Sequence, residues 1–163
     1  MPRALRAVLA ILFIAGLTAC SLHSRDSTAE VQEAVRAYFA AVNRADPTAI
    51  MDQYSRNSEA TSVFEGDIVR GWEQIRKETD KLAGTAGDEK WAPGTMDIIF
   101  MGEDHALVVA PMNITLRSVF GSEEVEGAST LVMERKGGKW KILHEHHSIK
   151  PSDQGDDFDS SRG

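Results

Sequence analysis

Apolar side chains follow several different periods along this chain, and each period predicts an element. From Ala7 to Leu17 they form a run broken only by Gly16, behind a short basic lead of Arg3 and Arg6. A run this short falls below the ~20 apolar residues of a membrane-spanning helix. With its basic lead it has the form of a secretory signal. The pattern then turns polar until Ser27-Thr28-Ala29-Glu30, which reads as a capping box opening a helix. Val31, Val35, Tyr38, Phe39 and Val42 follow at helical spacing, so the helix is expected to reach about Asn43. Pro47 suits the first turn of a second short helix that turns Ile50, Met51 and Tyr54 inward. Thr61 to Phe64 and Ile68 to Arg70 flank the turn Glu65-Gly66-Asp67 as a small hairpin. Trp72 to Leu82 makes a third amphipathic helix through Ile75.

Beyond that helix, Thr85 to Pro93 is polar and glycine-rich and reads as a loop. Alternation of period two then takes over, predicting strands over Met96 to Met101, His105 to Arg117, Val125 to Arg135 and Lys139 to Ile149. Gly102-Glu103-Asp104 joins the first pair and Gly137-Gly138 the second, the latter a strong hairpin signal. Residues 150–163 are acidic, serine-rich and nearly free of apolar side chains, which predicts a disordered tail. Helices first and a long antiparallel meander afterwards define an α+β domain.

Charge narrows the partners. The chain carries 18 basic and 25 acidic residues, net −7, and loss of Arg3 and Arg6 with a signal peptide would bring it to −9. No basic stripe interrupts this acidity, so nucleic acid is not an expected partner. No glycine-rich phosphate loop, CxxC pair or HExxH helix appears, and no cofactor is implied. Cys20 is the single cysteine and has no disulfide partner within the chain.

That cysteine has another reading. Leu17-Thr18-Ala19-Cys20 resembles the lipobox of bacterial lipoprotein signals. The resemblance implies a signal peptide over residues 1–19, lipid on the Cys20 sulfur, where the thiolate is the attacking nucleophile, and a tether over residues 20–27. Several acyl chains would then hold the protein on a membrane firmly, at ~0.8 kcal/mol for each buried methylene. Ser21, where an Asp would resemble an inner-membrane retention signal, leans toward the outer membrane of a Gram-negative envelope.

Three further stretches share one likeness. Tyr38-Phe39-Ala40-Ala41-Val42-Asn43-Arg44-Ala45-Asp46, the helix start Arg70-Gly71-Trp72-Glu73-Gln74-Ile75, and Gly138-Lys139-Trp140-Lys141-Ile142-Leu143-His144-Glu145-His146-His147-Ser148 resemble the SnoaL-like branch of the nuclear transport factor 2-like superfamily. The resemblance spans residues 28–149. It implies a cone: three helices on a strongly curved antiparallel sheet around a pocket, paired through the outer sheet face into a homodimer. Such folds serve as isomerases, cyclases, dehydratases, assembly modules and ligand binders, so the fold alone does not assign an activity.

The candidate residues follow from strand alternation. Trp140, Ile142, His144, His146 and Ser148 share one face of the closing strand; Lys141, Leu143, Glu145 and His147 share the other. The apolar Trp140 and Ile142 suggest that the first set lines the pocket, bringing His144 and His146 inward as acid/base groups or as polar clamps for a ligand. A metal at this pair would need a third ligand, and none declares itself. Tyr38 matches the oxyanion-stabilising tyrosine of the superfamily's steroid isomerases. An ungapped match from Tyr38 to Gly71, however, lands Ser62 where those enzymes carry a catalytic aspartate, and serine has no basic form at neutral pH. Trp91, Met112 and Trp140 complete the expected ligand-binding set. A small apolar ligand or a protein partner is therefore expected in preference to catalysis. The alternative is a small isomerase, dehydratase or cyclase using His144, His146 and Tyr38 for proton transfer.

Overall fold

The structure, a computed structural model, describes residues 27–82, 89–118 and 121–150. The expectations for the signal peptide, Cys20, the tether before Ser27 and the tail after Lys150 lie outside the described residues.

Helix α1 occupies residues 27–42 and buries the stripe its spacing predicts: Val31, Val35, Tyr38 and Phe39 are at most 5% exposed. Full burial of each such side chain is worth ~1.5–3 kcal/mol. Its end turns through Ala45, held at a positive φ of 50°. Asp46 then caps α2 (Pro47–Gln53) by accepting from the Ala49 N–H at 3.0 Å, with Pro47 pre-set for the first turn. Helix α3 (Trp72–Leu82) follows the hairpin of β1 (Thr61–Phe64) and β2 (Asp67–Arg70). Gly66, at φ 95°, supplies the turn between those strands, a backbone state that side-chain-bearing residues rarely adopt.

Five more strands complete the sheet: β3 (Lys90–Pro93), β4 (Asp97–Phe100), β5 (His105–Ser118), β6 (Gly121–Lys136) and β7 (Lys139–Ile149). Their order is β2-β1-β7-β6-β5-β3, with β4 also pairing β5. All pairs are antiparallel except β1 with β7, so the sheet is mixed. Two details depart from the expected meander. Lys90–Pro93 is a strand rather than the end of a loop, because its backbone pairs with Met112–Thr115 of the long strand β5. The early hairpin joins the same sheet through β1.

The third departure decides the site. Met133 of β6 pairs with Ile142, but the next residue back, Val132, pairs with His144. Leu143 is thus the extra residue of a β-bulge, and an extra residue moves every following side chain to the opposite face. Trp140 and Ile142 point inward as expected. After Leu143 the inward residues are Glu145 and His147, at 4% and 6% exposure, while His146 and Ser148 are exposed.

Candidate functional site

Four elements meet at the carboxylate of Glu145. Strand β1 runs parallel to β7 with Ser62 opposite Glu145, and the Ser62 Oγ donates to Oε1 at 2.7 Å. Two residues along β7, the Nε2 of His147 donates to Oε2 at 3.1 Å. Tyr38 reaches the same carboxylate from α1, and Tyr54, the residue that ends α2, from the other side. Both phenols help to stabilise its charge. A carboxylate offers about four acceptor positions, and Ser62 and His147 occupy one on each oxygen.

Electrostatics follows from this crowding. Burial alone would raise the Glu145 carboxyl, but the hydrogen bond and charge of His147, with the two tyrosine hydroxyls, outweigh it and hold the group down at about 2. Burial, then the negative charge of Glu145, pushes both Tyr38 and Tyr54 well above 10. These phenols stay protonated as donors.

His147 is fixed on all sides. Its Nδ1 lies 2.7 Å from the Oγ of Ser129, the residue facing it across β6. With Nε2 on the Glu145 carboxylate and Nδ1 on the Ser129 hydroxyl, each ring nitrogen has a partner. Tyr38 stacks on the imidazole at 6.3 Å and 8°, while Phe39 and Trp91 meet it edge-on at 5.9 and 5.6 Å. Trp91 in turn packs on Phe64, which is 39% exposed. The aromatic pair therefore stands between His147 and solvent.

Trp91 owes its position to Asn43. The Asn43 side-chain amide accepts from the Trp91 N–H at 2.7 Å and donates to the Trp91 carbonyl at 2.9 Å. The amide thus stands in for a neighbouring strand and ties the edge strand β3 to the end of α1.

The structure brings only part of the sequence-derived set together. Tyr38 and Trp91 both touch His147. Met112 is buried on the inner face of β5, 2% exposed, among apolar neighbours. Trp140 is buried elsewhere: its ring meets Phe100 at 6.0 Å, Arg135 lies over it, and its Nε1 donates to Glu30 at 3.2 Å. His144 and His146 face outward because of the bulge, in register with Thr61 and Val63 of β1. Glu145, His147, Ser129 and Tyr54 were not singled out. The signal for Glu145 was indirect: the acid absent at Ser62 arrives from the neighbouring strand. Among the described residues no three His, Cys, Asp or Glu side chains gather as a metal-holding group.

This arrangement of three helices on a curved mixed sheet is the nuclear transport factor 2-like, cystatin-like fold. Residues 31–151 match the SnoaL-like domain family, and the chain belongs to that family. Among solved structures it is similar to a protein of unknown function from Mycobacterium tuberculosis, at 15% identity and TM-score 0.71, covering 80% of this chain and 75% of that one. It is also similar to a protein from Xanthomonas campestris described as a calcium/calmodulin-dependent protein kinase II association domain. There the identity is 21% and the TM-score 0.63, covering 76% and 87% of the two chains. A protein from Streptomyces avermitilis described as a dehydratase of the NTF2-like family shares 15% identity at TM-score 0.69, over 78% and 99%. No curated protein matches the chain.

Proposed function

We propose that this protein is a lipid-tethered, non-catalytic docking module that self-associates through the outer face of its sheet. The observation that carries the reading is that face itself. Cross-strand register places Ile99, Leu107, Val132, His144 and Thr61 in one row across β4, β5, β6, β7 and β1. The next row is Asp97, Val109, Thr130, His146 and Val63, and a third holds Pro111, Ala128 and Ser148. Ile99 is 59% exposed and Val109 38%. Strands spaced ~4.8 Å apart make this face about 20 Å wide, with Ile99 and Val109 as its exposed large apolar side chains.

Charges frame the rows and leave their centre free. Glu134 with Lys136 marks one end, and Glu126 with Lys150 the other. A face that is apolar in the middle and carries both signs at its ends fits a second copy of itself across a two-fold axis. The likeness to a protein described as an association domain supports the same reading.

The interior argues against proton-transfer chemistry. Glu145 is held as an anion whose carboxyl lies at about 2, and His147 has a partner on each ring nitrogen. A carboxylate that holds a proton this weakly is poorly matched to a general base at neutral pH. The cluster instead ties α1, α2, β1, β6 and β7 together.

The tether reading rests on Leu17-Thr18-Ala19-Cys20, and it places the domain on the envelope membrane, the outer one where the organism has two. Sedimentation of the full chain in detergent tests the docking claim: wild type runs as a dimer and Val109→Asp as a folded monomer. A wild-type monomer at high concentration overturns it. The mass of the membrane-extracted protein tests the anchor, which requires the chain to begin at acylated Cys20.

A further inference from the structure

We infer that His144 and His146 make this self-association pH-dependent, holding two copies together at neutral pH and releasing them in mild acid. The inference rests on the docking reading of the outer face. Its geometric basis is the Leu143 bulge, which turns both imidazoles out of the interior and into the middle of the apolar rows. In the register Val132 and Thr61 flank His144, and Thr130 and Val63 flank His146. Closing two such faces together removes these imidazoles from water and surrounds them with methyl and hydroxyl groups.

The groups that face the pair offer protonated rings no compensation. From β1 come Thr61 and Val63, from β6 Val132 and Thr130, and along β7 Ser148. None carries charge. Lys141, further back on β7, shares its row with Glu134, which already receives Lys136, and with His105 of β5, while Arg70 of β2 follows Thr61 and adds positive charge. Asp97 lies three strands away from His146 in the same row, ~14 Å at ordinary strand spacing. Glu126 pairs with Lys150 beyond the third row. Glu145 favours protonation of His144 from the opposite face, but burial and the adjacent His146 prevail and hold His144 below its ordinary value. Imidazoles are the side chains that change charge between pH 5 and 8. Acidification would therefore place up to four positive charges in one closed, apolar interface.

The experiment is sedimentation equilibrium of the full chain in detergent at pH 7.5 and 5.5, for wild type and for the double variant His144→Gln, His146→Gln. Both positions face outward, so the variant keeps its core. The dimer dissociation constant of wild type is expected to rise severalfold over this interval, as protons bind imidazoles of the separated copies but not of the closed dimer. The double variant is expected to hold one value at both pH values. A wild-type dimer whose constant does not move, or a double variant that weakens as wild type does, overturns the inference while leaving the docking reading intact. A wild-type monomer at pH 7.5 overturns both.

Discussion

Glu145→Gln preserves the shape of the interior and removes its charge, so it isolates what the carboxylate contributes. Two routes give the magnitude. Hydrogen bonds to a charged group are worth ~1.5–3 kcal/mol each. Ser62 and His147 donate to Glu145 at 2.7 and 3.1 Å, but such values do not add in one cluster, and Gln retains one oxygen acceptor. The proton affinity gives a second figure. The folded carboxyl titrates at about 2 against an ordinary 4.5. At ~1.36 kcal/mol for each tenfold change in proton affinity, that difference is about 3 kcal/mol. The same size is expected for breaking one side of a buried ion pair.

The sign follows from linkage. A depressed folded value stabilises above the unfolded value, and the contribution fades as pH falls from 4.5 toward 2. Of the ~3 kcal/mol present at pH 7, about 2 kcal/mol are gone by pH 3. Urea unfolding of wild type and Glu145→Gln at pH 7, 5 and 3 reads the gap directly. The expected gap is ~3 kcal/mol at pH 7 and 5 and ~1 kcal/mol at pH 3. A gap below ~1 kcal/mol at pH 7, or one that does not narrow in acid, would refute the view that Glu145 is a buried, hydrogen-bonded anion.

Two further substitutions probe how the site is framed. Asn43→Ala strips the Trp91 backbone of both side-chain partners; stability should fall by ~1–2 kcal/mol, with hydrogen exchange rising at residues 90–93 before other strands open, and unchanged exchange there would count against the clamp. Gly127→Ala would bring a Cβ to 2.5 Å from the Ser148 carbonyl oxygen, so β6 and β7 must separate locally, at a cost of ~1–3 kcal/mol in a urea melt, whereas a neutral substitution would show that the two strands are not so close.

Where apolar and polar residues contrast, the fold was legible. Val31, Val35, Tyr38 and Phe39 announce the buried stripe of α1, and Gly137-Gly138 the last hairpin. Trp140 and Ile142 correctly set the inward face at the start of β7. The bulge at Leu143 was not legible, because residues 144–148 are polar on both faces and carry no alternation to fix the phase. Glycine can mark a bulge in sequence, and none stands there. The site shifted by one residue as a result, from His144 and His146 to Glu145 and His147. The short strand Lys90–Pro93 was hidden for a different reason: its ladder partner lies in a distant segment, and its other backbone partner is a side chain, Asn43.

The claim on which the interior site and the outer face both depend is the side of the sheet each histidine occupies. Nuclear Overhauser contacts of the imidazole ring protons decide it. Contacts from His147 to the rings of Tyr38, Phe39 and Trp91, with His146 showing contacts to Val63 and Thr130 and none to those rings, are the predicted result. Contacts from His146 to Tyr38 or Phe39 would contradict it, removing the bulge, the buried carboxylate cluster and the histidine-bearing outer face together.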